Sequence, residues 1–274
     1  MVNLEYSVTS WGSPTAPKRA LLLHGMMGTG AVFFKVAEIL IKNGYVRHAH
    51  SLRVDAPDLL GHGWAPHAPS SERYTVPLLA SYLAQHVSKE KYDVVAGVSF
   101  GSTAILPLLA QMQHPPARAV LVEPILDMPC PTPERIAEML GSCSDPPSEE
   151  KLMQSNPKWI REEAILKRMA FVQMDSRLIT ELFDEVKQGN LSHSLIPTPS
   201  SLPATEIIIL AADPDLASVY PASNAALLEK SHPHVKFGRI MGATHDTHKT
   251  APGVVADVIM NGMTGAMGVE VLRS

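Results

Sequence analysis

Cysteine is scarce in this chain: 274 residues contain two, Cys130 and Cys143. That count excludes a disulfide framework, and the spacing fits no metal motif. Two free thiols are expected. Long apolar runs are missing as well, since no stretch reaches the roughly 20 residues that a membrane helix requires. The first residues, MVNLEYSVTSWGSPTAPKRA, hold no basic segment followed by an apolar one, so no secretory signal is read and a cytoplasmic protein is expected. Charge of one sign is lacking too. The net charge is −4 with no basic cluster, which gives nucleic acid no footing. The histidine pairs HAH (48–50), HPH (232–234) and HDTH (245–248) offer no three ligands at the spacing of a catalytic zinc site, so no metal is expected.

What the chain does contain is 45% apolar and 18% charged residues, the balance of an ordinary globular domain. Short apolar runs alternate with longer helical patterns. RALLLHG (19–25), HSLRVDAPD (50–58), YDVVAGVS (92–99), ARAVLVEP (117–124), TEIIILAAD (205–213) and HVKFGRIMG (234–242) read as strands. Between the first two, GAVFFKVAEILIKNG reads as a helix that Gly44 should stop, and Pro107 should kink or shorten the helix after the third strand. The alternation predicts an α/β fold, a mostly parallel doubly wound sheet with helices on both faces.

From residue 127 to 202 the strand signal vanishes. Pro129, Pro131 and Pro133 crowd one border, and Pro197, Pro199 and Pro203 the other. Inside lie helical patterns, with Thr132 as an N-cap ahead of Pro133 and with Leu178, Ile179, Leu182, Phe183 and Val186 on one face. The expected organisation is a core of residues 1–126 and 203–274 with a helical cap inserted at 127–202.

The segment DVVAGVSFGSTAI (93–105) fits G-x-S-x-G, with Ser99 central, after a strand and before a helix. That context suits a nucleophile elbow, where Gly97 and Gly101 clear space around a strained serine. A serine hydroxyl needs a base to take its proton. His245, in the loop after the last strand, is expected to be that base, and His248 to lie in the helical turn that follows. The acid that orients it should leave the preceding strand; Asp215 is favoured, with Asp213 as the alternative. The backbone N–H groups of Met26 and Phe100 are the expected oxyanion hole. Met26 and Met27 are the expected substrate-binding side chains, with Trp159, Met169, Phe171, Met174 and Phe183 an apolar inventory in the cap. His24 is expected to bond structurally.

Together, HGMMG, GVSFG and DAPDLLGHGWA (55–65), with Asp58, Gly61, His62 and Gly63 in a D-x-x-G-H-G pattern, resemble the α/β-hydrolase superfamily over nearly the whole chain. Thr244 stands where many members have glycine before the histidine. The resemblance implies a cofactor-free serine hydrolase that cleaves a carboxylic ester, lactone or related acyl bond of a mainly apolar small molecule through an acyl-enzyme. Serine at the elbow sets it apart from the dehalogenase and epoxide-hydrolase branches, which use aspartate. A lyase, a cofactor-free oxygenase or a ligand receptor on the same fold is the alternative.

Overall fold

Strand β2 (Lys18–Leu23) shows how the sheet is built: Leu21 and Leu23 belong to one apolar core and Leu22 to another. Side chains alternate across a strand, so a continuous apolar run means that both faces are covered. The same alternation runs through β4 (Val94–Val98), β5 (Arg118–Val122) and β6 (Glu206–Ala212), in a computed structural model that describes residues 6–47, 52–198, 200–202, 204–263 and 268–273. His48 and His50 of the HAH pair, Pro199 and Pro203 lie outside these residues. Strands β3 (Leu52–Pro57) and β7 (Lys236–Ile240) extend the parallel array.

The full sheet has eight strands in the order β1-β3-β2-β4-β5-β6-β7-β8. Strands β1 (Val8–Gly12) and β8 (Glu270–Arg273) are antiparallel edges on β3 and β7. Helices α1 (Phe34–Arg47) and α10 (Pro252–Asn261) pack together on one face, α2 (Val76–Val87) and α3 (Phe100–Leu109) on the other. Two expectations are adjusted. Gly44 does not stop α1, which runs on to Arg47, because a lone glycine weakens a helix without ending it. Helix α3 passes through Pro107 and ends two residues later, the shorter of the two outcomes expected. Among the described residues no helix is long and apolar enough to cross a membrane, and both thiols are free.

Between β5 and β6 the chain leaves the sheet for four helices: α4 (Pro133–Ser144), α5 (Glu149–Ser155), α6 (Arg161–Gln173) and α7 (Arg177–Lys187). Thr132 caps α4, accepting from the Arg135 N–H. The apolar face of α7 is buried at all five expected positions, so it anchors the insertion to the core. The two ends of the insertion are fastened to each other. Asp127 N–H donates to the Leu191 carbonyl at 2.8 Å, and the Asp127 carboxylate accepts from the His193 N–H at 2.8 Å and binds the His193 ring. The far ring nitrogen of His193 bonds Tyr220 Oη at 2.7 Å. Helix α8 (Ala222–Ser231) then returns the chain to β7.

Candidate active site

Ser99 stands between β4 and α3 with φ 55° and ψ −129°, outside the regions an L-residue prefers. Such a conformation costs on the order of 1–3 kcal/mol and persists only where the surroundings enforce it. Here they do. The Ser99 N–H donates to the Val122 carbonyl at 2.9 Å, and the Ser99 carbonyl accepts from Ser102 Oγ at 2.6 Å and the Thr103 N–H at 3.2 Å. A Cβ on Gly101 would fall 2.2 Å from the His24 carbonyl oxygen, and one on Gly97 2.8 Å from the Ser102 nitrogen. Only glycine fits at either place, as the motif requires.

Ser99 opens onto a cavity of about 760 Å³ between the C-terminal ends of the strands and the inserted helices. Its floor includes Gly25, Met26, Met27, Phe100, His245 and His248, while Met139, Leu152, Trp159, Phe171 and Phe183 reach it from the insertion. Met174 is buried within the packing, and Met169 is exposed at 46%. Met169 therefore drops out of the expected apolar inventory, because it sits on the outer face of α6. Met26 and Phe100, the expected oxyanion donors, line the same cavity as Ser99. Phe100 is the first residue of α3, so its N–H has no intrahelical acceptor. Met26 is in the turn after β2, where Met27 has a left-handed backbone, φ 59°.

That turn is held from below. His24 Nε2 accepts from the Leu59 N–H at 3.0 Å, which leaves the proton on Nδ1 to donate to the Gly25 carbonyl at 2.8 Å. The ring is fully buried, and burial lowers its pKa, so the neutral form that can both accept and donate is favoured. Asp58 accepts from the Gly30 N–H at 2.8 Å, from Trp64 N–H at 3.0 Å and from Ser7 Oγ at 2.8 Å, tying the glycine-rich loop to the same turn.

His245 occupies the loop between β7 and the short helix α9 (Thr247–Thr250), and its Nδ1 lies 3.1 Å from Glu123 Oε2. Neither expected acid is there. Asp213 Oδ2 accepts from the Gly242 N–H at 2.8 Å and its Oδ1 from the Asp215 N–H at 3.0 Å; Asp215 is exposed in the turn that follows. Asp213 and Asp215 follow β6, whereas the acid against the imidazole comes from the end of β5. Glu123 also lies between the serine and the histidine in chain order. The signal for it was a charged residue closing the apolar run RAVLV, directly before Pro124.

Glu123 is fully buried. Its Oε1 accepts from the Ala212 N–H and Ser218 Oγ, and its Oε2 from the Val219 N–H, each at 2.7 Å. Burial alone would raise its pKa. The hydrogen bond and charge of His245, then the Ala212 N–H and Ser218 hydroxyl, outweigh that and hold it below the ordinary glutamate value. A carboxylate can only accept, so Nδ1 of His245 carries its proton and Nε2 is left as a base. His248, in α9 as expected, packs against Phe33, and burial drives its pKa down to about 3, leaving it neutral. Among the described residues no three His, Cys, Asp or Glu side chains gather as a metal would need.

Residues 20–258 match the sequence model of the Alpha/beta hydrolase family. Lipase LipV of Mycobacterium tuberculosis is 26% identical over 150 residues, 53% of this chain and 53% of that protein, so the match spans about half the length of this curated relative. The thioesterase domain from the curacin biosynthetic pathway superposes with a TM-score of 0.66 at 18% identity, covering 94% of this chain and 99% of that one. The enol-lactonase of Burkholderia xenovorans gives a TM-score of 0.66 at 15% identity, covering 95% and 97%. At these identities the structural likenesses establish the fold alone.

Proposed function

The chain belongs to the alpha/beta hydrolase family, and from that premise we propose that it is a serine hydrolase of a carboxylic ester, lactone or related acyl bond. Ser99 is the nucleophile, His245 the base and Glu123 the orienting acid. Ser99 Oγ passes its proton to His245 Nε2 as it bonds to the substrate carbonyl carbon. The carbonyl oxygen becomes an oxyanion, received by the N–H groups of Met26 and Phe100. His245 returns the proton to the leaving oxygen as the C–O bond breaks, and an ester on Ser99 remains. Water then attacks that ester by the same proton path, releasing the acid and restoring Ser99. Glu123 stays ionised throughout and stabilises the imidazolium that forms.

The observation that carries this reading is the pairing of a strained serine with a histidine on one cavity, where a buried carboxylate holds the histidine's Nδ1. The inserted helices act as a cap. Trp159, Phe171 and Phe183 supply walls for an apolar body and exclude water from the acyl-enzyme. A fluorophosphonate should label Ser99, and small nitrophenyl esters should give a burst of nitrophenol. Ser99→Ala should lose the label and reduce turnover by about 10³-fold or more with its Tm retained. Hydrolysis by that variant at near the wild-type rate rejects the assignment.

A further inference from the structure

The cavity combines apolar walls with polar and charged side chains, and two of its lysines, Lys167 and Lys249, are at least half-buried and left unused by the steps above. Lys167 comes from α6 of the insertion and lines the cavity. Its Nζ donates to the Met27 carbonyl at 3.0 Å and lies 5.0 Å from the centre of the Phe171 ring. Lys249 is buried in α9 and lines the same cavity, with Nζ 3.5 Å from the centre of the Trp159 ring and 3.6 Å from Asp246 Oδ1.

The two lysines differ in their partners. Asp246 compensates Lys249. Among the described residues no carboxylate forms an ion pair with Lys167, and its hydrogen-bond acceptor is a neutral carbonyl. An ammonium has three donors. Asp246 attracts both lysines, and Glu163, which is paired with Lys35, also attracts Lys249. The ammonium groups of Lys35, Lys167 and Lys249 thus outnumber the carboxylates of Glu163 and Asp246 by one, and of the three Lys167 has no ion pair. Further out, Arg135 is neutralised by Glu138 at 2.6 Å, both on the exposed side of α4. Taking a charge out of water is costly unless it is paired. Lys167 is half-buried and so bears part of that cost, with its Nζ within hydrogen-bonding distance of the turn that carries Met26.

We propose, resting on the serine-hydrolase reading, that the substrate carries a carboxylate which pairs with Lys167 beside the Met26–Met27 turn. The substrate is then the ester or lactone of an organic acid with a second, free carboxyl group and an apolar body. One uncompensated cation matches one negative charge. A phosphomonoester, with nearly two charges and three strong acceptor oxygens, asks for a larger cluster of donors. Burial and the neighbouring Lys249 pull the Lys167 pKa down to about 8, a penalty that an arriving carboxylate relieves. Because Lys167 belongs to the insertion and Met27 to the core, the same contact also seats the cap over Ser99.

The test compares 4-nitrophenyl hydrogen succinate with 4-nitrophenyl butyrate, which are of similar size and differ in the free carboxylate. Wild-type protein should favour the succinate. Lys167→Met should lower the succinate-to-butyrate ratio of kcat/KM by about tenfold or more, chiefly through KM, as loss of a charged hydrogen bond does. Lys151→Met, on the exposed rim, should change the ratio less than about twofold. Succinate titrated into Ser99→Ala provides a readout independent of hydrolysis, and adding Lys167→Met, or Lys167→Gln should the first variant not fold, should weaken its Kd about tenfold or more. An unchanged ratio and an unchanged Kd overturn the carboxylate site even when hydrolysis persists. Succinate binding that depends on Lys167, in a protein that neither hydrolyses these esters nor takes the fluorophosphonate, supports the site and removes the serine-hydrolase reading instead.

Discussion

Strands β5 and β6 lie side by side, and each is followed at once by an acidic residue, yet the two carboxylates meet opposite surroundings. Glu123 is enclosed, and both its oxygens are filled by donors from Ala212, Ser218, Val219 and His245. Asp213 spends its oxygens on the backbone N–H groups of Gly242 and Asp215, fastening a turn. The pairing register explains the difference. Val122, the last residue of β5, lies opposite Leu210, while β6 continues to Ala212. The Ala212 N–H would find no strand partner, and the Glu123 carboxylate fills that place. An acid at the end of the shorter strand is drawn under its longer neighbour, and an acid at the end of the longer strand is left to the loop. Asp213 still serves His245 indirectly, since it holds the Gly242 backbone three residues before it.

The contrast can be broken most sharply at the β5 end. Glu123→Ala should lower kcat by about 10³–10⁴-fold, the scale seen when a triad acid is removed, whereas Asp215→Ala should stay within about twofold. Steady-state kinetics on one ester settle the comparison, and a large loss from Asp215→Ala would return the acid to the β6 turn.

Acid titration sharpens it next. The folded-state pKa of Glu123 is depressed, so the stability it contributes is complete above the unfolded glutamate value and is lost as pH falls through the lower folded one. Glu123→Gln should therefore flatten the decline of stability with falling pH below about 4.3. Denaturant midpoints between pH 3 and pH 6 measure it, and a curve parallel to wild type contradicts the linkage.

A smaller effect than that of Glu123→Ala is expected of Asp213→Ala. It should lower Tm by freeing the Gly242 turn while changing kcat/KM by less than about tenfold. Calorimetry with ester kinetics checks both; a loss of activity as deep as that of Glu123→Ala would erase the distinction between the two strand ends.

Much of this was legible in the residues. The elbow announced itself because a strained serine needs glycines where backbones touch, at Gly97 and Gly101. His245 followed from chain order and a loop after the last parallel strand. The acid did not follow, because two strand ends both satisfy that order, and which carboxylate meets the imidazole depends on strand lengths that only pairing fixes. Edge strands β1 and β8 escaped for another reason. In β1, half-buried and exposed residues alternate in a short polar segment, with little apolar signal to read. Lys167 was hidden likewise, since a lysine in REEAILKRMAFVQ reads as the solvated side of a helix until the insertion folds over the cavity.

The clasp formed by Asp127, Leu191 and His193 has an architectural consequence. It brings the two ends of the insertion together, so from the standpoint of the sheet some sixty residues amount to one short bridge. Doubling the length of a closed loop costs only about 0.6 kcal/mol. With α7 fixed to the core by its buried apolar face, the stretch from α4 to α6 is the part of the span open to exchange. Those helices can be lengthened, trimmed or replaced to suit a different molecule, while Ser99, Glu123 and His245 stay on the strand ends that carry them.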